Sequence, residues 1–148
     1  MTVLGSEFAG VVEGVGRRVT SFEVSDRVFG FSGSRFGAHA EYLAIPEDGF
    51  VATMPANLTY EQAAPSTDGS HYALSAIRAA KVRSGHDVLV NGVTGAIGSA
   101  AVQLLKQLGA AVTAVCGTEH VELVKDLGAD RVIDYTAEAF TKTPSATT

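Results

Sequence analysis

The sequence predicts an α/β chain: half of a doubly wound parallel sheet, preceded by a run of short strands. Three observations predict it. Val88-Leu89-Val90 is a wholly apolar run of the kind that forms a core strand. A glycine turn follows it directly, Gly92-Val93-Thr94-Gly95-Ala96-Ile97-Gly98. From Asp87 to Asp134 the hydrophobic period then alternates between that of a strand and that of a helix.

The amino-terminal part reads as strands separated by glycine and charged turns. Phe8 to Val15 is apolar and valine-rich, with a turn at Gly14-Val15-Gly16-Arg17, and Asp26 to Phe31 is the second strand. A third run, His39 to Ile45, alternates in part before Pro46 stops it, and Phe50 to Met54 is a fourth, closed by Pro55. Strands this short and this closely spaced suggest a small barrel or sandwich.

The pattern changes after Pro55. Thr59 is a good helix cap, with Glu61 and Gln62 in the turn that would follow. A second helix from about His71 to Ala80 places Ala73, Leu74, Ile77 and Ala80 on one face, and Ser84-Gly85 ends it. The strand at Val88 follows, then a helix whose stripe is Ile97, Ala100, Ala101, Leu104, Leu105 and Leu108, with Gly109 as its stop. Val112 to Cys116 is the next strand, Glu119 to Leu127 the next helix with Gly128 as its cap, and Val132-Ile133-Asp134 the third strand. Right-handed crossovers place the three strands side by side and parallel. The tail from Thr136 to Thr148 is polar and rich in threonine, which predicts poor order or a truncation.

Composition excludes several function classes. The chain has 148 residues, 46% of them hydrophobic, which is enough to bury a core. A net charge of -5 and the lack of a basic patch argue against nucleic acid as a partner. One cysteine, Cys116, cannot make an internal disulfide, and no apolar run reaches the roughly 18 residues of a membrane span. Without a charged-then-apolar leader either, the sequence predicts a cytoplasmic protein.

The glycine turn carries the chemistry. It aims backbone N–H groups and the positive end of a helix at a phosphate. Gly95 would let a pyrophosphate approach the backbone, and Gly98 would let the helix pack close to its strand. Val93 stands where the usual fingerprint has its first glycine. What strengthens the reading is placement, after a buried strand and before an apolar-faced helix. The alternative is a glycine turn that merely lets strand meet helix. A P-loop is disfavoured, since no Gly-Lys-Ser/Thr closes the turn. The predicted cofactor contacts are Asn91, Gly92, Thr94, Gly95, Ala96, Ile97 and Gly98, with Cys116, Gly117 and Thr118 at the tip of the second strand. No acid ends that strand, so a 2′-phosphate would not be repelled and Thr118 could donate to it. This favours NADP(H) over NAD(H), although Glu119 could take the ribose role from the loop.

From Leu4 to Phe140 the chain resembles the medium-chain dehydrogenase/reductase superfamily, in its zinc-independent quinone oxidoreductase-like branch. The resemblance rests on residues 5–12 (GSEFAGVV), 26–30 (DRVFG), 38–42 (AHAEY), 91–98, and 127–135 (LGADRVIDY). It implies that residues 1–58 are part of a GroES-like β domain, 59–84 are connecting helices, and 85–148 are the first half of a Rossmann-like dinucleotide-binding domain. It also implies hydride transfer from a reduced nicotinamide to a quinone, an enone or a related carbonyl compound.

Several site expectations follow from the resemblance. Zinc-dependent relatives have a histidine ligand where this chain has Ser6, and their structural zinc needs four cysteines, so no zinc is expected. His39 is better read as a satisfied strand residue than as a ligand. Tyr135 matches the family's tyrosine beside the adenosine. The basic residue that many relatives aim at the 2′-phosphate aligns roughly with His120, which weakens the case for NADP(H). The stretch Gly69-Ser70-His71-Tyr72 aligns with residues near the nicotinamide. This makes His71 and Tyr72 the catalytic candidates, although two such rings at a helix start are more often packing.

Full members of the family extend beyond both ends of this sequence. The expectation is therefore of a chain truncated at both ends, either a piece of an oxidoreductase or a non-catalytic module that binds a nucleotide or dimerises. A short-chain dehydrogenase is excluded by the position of the glycine motif. Unpaired sheet edges, and the dimer that nucleotide domains of whole relatives form, predict a homodimer or other self-association.

Overall fold

The computed structural model describes residues 3–139, which divide between Asp68 and Gly69 into two compact units. In the first, β1 (Glu7–Val11), β2 (Arg27–Phe31) and β3 (Val51–Thr53) form one antiparallel sheet in that order. Phe8 pairs with Gly30 and Gly30 with Val51. Gly30 is required at this crossing, because a Cβ there would run into the Phe50 carbonyl and the Phe8 ring. Phe31 stacks on Phe50 at 4.4 Å, which closes the small core of this unit with Val28 and Met54.

The expected strand at residues 39–45 is absent, and with it the closed barrel or sandwich. Ala38 N–H donates to the Gly5 carbonyl and His39 N–H to that of Leu4, but no ladder continues. Tyr42 is 71% exposed, so the partial alternation has no second layer to bury against. His39 is thus a loop residue whose ring packs on Gly5, rather than a strand residue. The first strand also ends at Val11 rather than at Val15.

Helix α1 (Tyr60–Ala63) begins where expected. Thr59 Oγ1 accepts from Gln62 N–H, and Gln62 returns the bond to Thr59 N–H, a complete capping box. Helix α2 (Asp68–Ala79) starts three residues before the expected His71, since Asp68 N–H is satisfied by the Glu7 carboxylate and the helix can begin there. Ala73 and Ile77 are buried as expected, whereas Ala80 lies beyond the helix and is exposed.

In the second unit β4 (Asp87–Asn91), β5 (Ala111–Cys116) and β6 (Arg131–Asp134) form a parallel sheet in that order. The helices between them are α3 (Ala96–Gln107) and α4 (Val121–Asp126), the latter entered through a 3-10 turn at Thr118–His120. The fold is therefore α/β, an antiparallel sheet of GroES-like kind followed by three strands of a Rossmann-like sheet. Gly109 (φ 80°) and Gly128 (φ 101°) stop the two helices in the left-handed conformation that glycine adopts without cost.

Two expectations about faces need correction. The buried line of α3 is Gly98, Val102 and Leu105, with Ile97 and Leu108 exposed, because the helix packs through its glycine and rotates the larger end residues outward. Nor is β4 covered on both sides. Val88 and Val90 pack against the core formed by Val93, Val102, Leu105, Val112 and Ala114, while Leu89, pointing the other way, is 49% exposed. Of the expected threonine-rich tail, Thr136 to Ala139 is described and exposed, and residues 140–148 lie outside the described residues.

Candidate functional site

The turn between β4 and α3 is built from its backbone. Gly92, at φ 75°, reverses the chain after Asn91 in a conformation that a side chain would strain. Val93, in the place of the missing first glycine, is fully buried in the core, so its side chain points away from the turn's outer face. Gly95 is the N-cap, extended at ψ 167°, and its carbonyl accepts from Ser99 N–H. No side chain caps this helix. The N–H groups of its first turn therefore lack intrahelical partners and point out of the positive end of a 12-residue helix.

Two glycines fix the shape. A Cβ on Gly98 would strike the Gly92 carbonyl and come within 2.7 Å of Val93 Cα, so the helix can lie this close to its strand only with glycine there. A Cβ on Gly95 would meet nothing nearer than 3.7 Å. Among the described residues only the Gly92 carbonyl comes within 4 Å of that position, and the donor set around it is backbone N–H. Such a surface fits a pyrophosphate. Asn91, Gly92, Thr94, Ala96 and Ile97 all lie on the exposed rim with Gly95, and Gly98 is buried beneath.

Register brings the tip of β5 beside that of β6, with Cys116 opposite Asp134. Cys116 is buried, its carbonyl accepts from Tyr135 N–H, and burial, followed by the charge of Asp134, pushes its thiol above the ordinary range. Gly117 lies close under Tyr135, whose Oη is 3.2 Å from where a Cβ would stand. Thr118 is exposed, but its hydroxyl donates to Asp134 Oδ2 at 2.6 Å, with Thr136 Oγ1 at 2.7 Å. The Thr118 proton that the sequence assigns to a 2′-phosphate is thus already committed. Asp134 Oδ1 also accepts from Thr136 N–H and Oγ1, and these bonds, the Thr118 bond foremost, hold its carboxyl below the usual carboxylate range.

His71 and Tyr72 sit on α2, half-buried and exposed respectively, ring edge against ring face at 5.5 Å. Their contact is of the packing kind. What the sequence reading missed is the packing role of Gly69, which it placed in the same stretch. A Cβ on Gly69 would lie 2.6 Å from the Ala96 carbonyl, so the start of α2 rests on the first residue of α3. No signal for it was available, because the expected helix began at His71 and left Gly69 outside it. Asp134 and Thr136 were missed because only strand register brings them to Thr118. Ser6 donates to Asp68 at 3.5 Å, and among the described residues no group of three His, Cys, Asp or Glu side chains could hold a metal ion.

Comparison with known proteins places these features in context. Residues 2–56 match the family "Alcohol dehydrogenase GroES-like domain", and residues 96–148 match the family "Zinc-binding dehydrogenase". A 2-methylene-furan-3-one reductase of Solanum lycopersicum is 39% identical over 152 residues, covering 97% of this chain and 39% of that protein. The quinone oxidoreductase of Coxiella burnetii superposes with a TM-score of 0.83 at 32% identity, covering 93% of this chain and 44% of its own. The Escherichia coli quinone oxidoreductase complexed with NADPH gives 0.79 at 30% identity, covering 92% and 42%. The chain thus spans about two fifths of the length of the proteins it matches.

Proposed function

The chain belongs to the medium-chain dehydrogenase/reductase superfamily, in its quinone oxidoreductase-like branch, and from that premise we propose that the whole protein is an NAD(P)H-dependent reductase of quinones, enones or related carbonyl compounds. The observation that carries the proposal is the uncapped α3 N-terminus behind Gly92 and Gly95, a backbone surface that fits a pyrophosphate. A bound reduced nicotinamide would supply a hydride. With a proton from solvent, that hydride converts an enone to its saturated ketone or a quinone to its hydroquinone. The name of the Solanum lycopersicum relative, which denotes a conjugated methylene ketone, supports the acceptor class.

In this reading the backbone N–H groups of Ala96, Ile97 and Gly98 hold the pyrophosphate, Gly117 and Tyr135 flank the adenosine, and His71 and Tyr72 on α2 are the candidates beside the reacting ring. The reaction proceeds without zinc, since Ser6 is a poor ligand and pairs with Asp68. The protein works in the cytoplasm as a homodimer. For the cofactor, the NADPH complex of the Escherichia coli neighbour supports NADP(H). The Asp134 carboxylate beside Thr118 favours a second reading in which NADH serves as well.

The test is a titration of the protein with NADPH and with NADH, following nicotinamide fluorescence, and then an assay with a simple quinone and a simple enone. Micromolar binding with oxidation of the nucleotide by either acceptor is expected. Binding without turnover would point to a nucleotide-binding module without catalysis. Binding of neither nucleotide would overturn the reading of the turn.

A further inference from the structure

We infer that Asp134 sets cofactor choice at this site, and that the cluster Thr118, Asp134 and Thr136 makes NADH at least as good a ligand as NADPH. The inference rests on the reading of the glycine turn as a nicotinamide dinucleotide site. In a doubly wound sheet the ribose of such a cofactor lies beyond the tip of the second strand, here β5 and Thr118. The group nearest that hydroxyl is a carboxylate from the third strand, Asp134 Oδ2 at 2.6 Å.

The proton inventory shows why this opposes a phosphate. Two hydroxyl protons, from Thr118 and Thr136, serve three short contacts: Thr118 to Asp134 at 2.6 Å, Thr136 to Asp134 at 2.6 Å, and the two hydroxyl oxygens at 2.7 Å. No hydroxyl proton is left over. A 2′-phosphate could bind Thr118 only by displacing a bond to the carboxylate. It would then sit within about 5 Å of that carboxylate, where like charges repel.

No free cation offsets this repulsion among the described residues from Cys116 onward. His120 lies 3.3 Å from Glu119, Lys125 pairs with Glu122 at 2.7 Å, and Arg131 faces Glu138 at 4.0 Å. An unphosphorylated ribose meets the opposite situation. Its hydroxyls carry protons, and the cluster offers acceptor oxygens on Asp134 and on both threonines.

The test is calorimetric titration of NADH and NADPH into the protein and into Asp134→Asn. The wild-type protein should bind NADPH no more tightly than NADH. Asp134→Asn should tighten NADPH by about tenfold relative to NADH, a change of ~1.4 kcal/mol. A far-ultraviolet circular dichroism spectrum that matches wild type serves as the check on folding. Wild-type preference for NADPH of about tenfold or more would overturn the inference without any variant, as would an unchanged ratio in Asp134→Asn. Failure of the wild-type protein to bind either nucleotide would instead overturn the reading of the glycine turn, and the inference with it.

Discussion

Gly98 is the residue at which the turn has least room. Its missing side chain is what allows Gly92 and Val93 to pass beneath α3, so a methyl group there has to push backbone, not a flexible neighbour. Gly98→Ala should cost about 1–3 kcal/mol, the range for overpacking a close-packed site. Urea denaturation measures this directly, and a midpoint equal to wild type would show that the close approach is dispensable. A second residue-scale prediction concerns pH. The Lys106 ammonium bonded to Asp130, and then the Val112 N–H, hold the Asp130 carboxyl below its ordinary value of 3.8. A carboxyl depressed in the folded state contributes stability above its unfolded value, and that stability is lost as pH falls through the folded value. Thermal melts at neutral pH and near pH 3 should therefore show a smaller acid loss in Asp130→Asn than in wild type. Equal losses would leave the Lys106 contact without a role in stability.

Among the elements, those legible in the sequence are the ones whose signals are local. The three parallel strands and the glycines that close α3 and α4 sit where period and punctuation place them, because each depends on a few consecutive residues. The tip of β5 was not legible. Thr118 reads as a free donor until register puts Cys116 opposite Asp134 and so brings a carboxylate 16 residues away against its hydroxyl. The run at residues 39–45 failed for the converse reason, since its alternation is real but no strand lies beside it to complete a ladder. Gly69 gives this scale its prediction. With a Cβ at 2.6 Å from the Ala96 carbonyl, Gly69→Ala has to separate α2 from the first residue of α3, displacing the N–H groups that would hold the pyrophosphate. We expect nucleotide affinity to fall by roughly tenfold, with a smaller loss of stability than for Gly98→Ala, since a helix start can shift more readily than a turn threaded under a helix. Fluorescence titration decides it, and unaltered affinity would separate α2 from the site.

At the scale of the molecule, the parallel sheet is covered unequally. Its helix-bearing face is sealed by Val102, Leu105 and Val124, whereas the opposite face is closed at Val115 and Ile133 but leaves Leu89 half exposed, and among the described residues β4 and β6 are both edges of the three-stranded sheet. Unpaired N–H and C=O groups along an edge, next to exposed apolar surface, are a template for a second copy of the chain. Charge opposes this at Asp87, where β4 starts, and at Arg131 and Asp134, the two ends of β6. The 148-residue chain should therefore self-associate, and sedimentation should show a mass that rises with concentration. Leu89→Lys tests the cause. The side chain is on the open face and outside the main core cluster, so stability should stay within about 0.5 kcal/mol of wild type, while a charge beside the edge should lower the association. Association that persists unchanged in Leu89→Lys would move the contact away from β4, and a single monomeric species at every concentration would mean that the edges are masked within the chain itself.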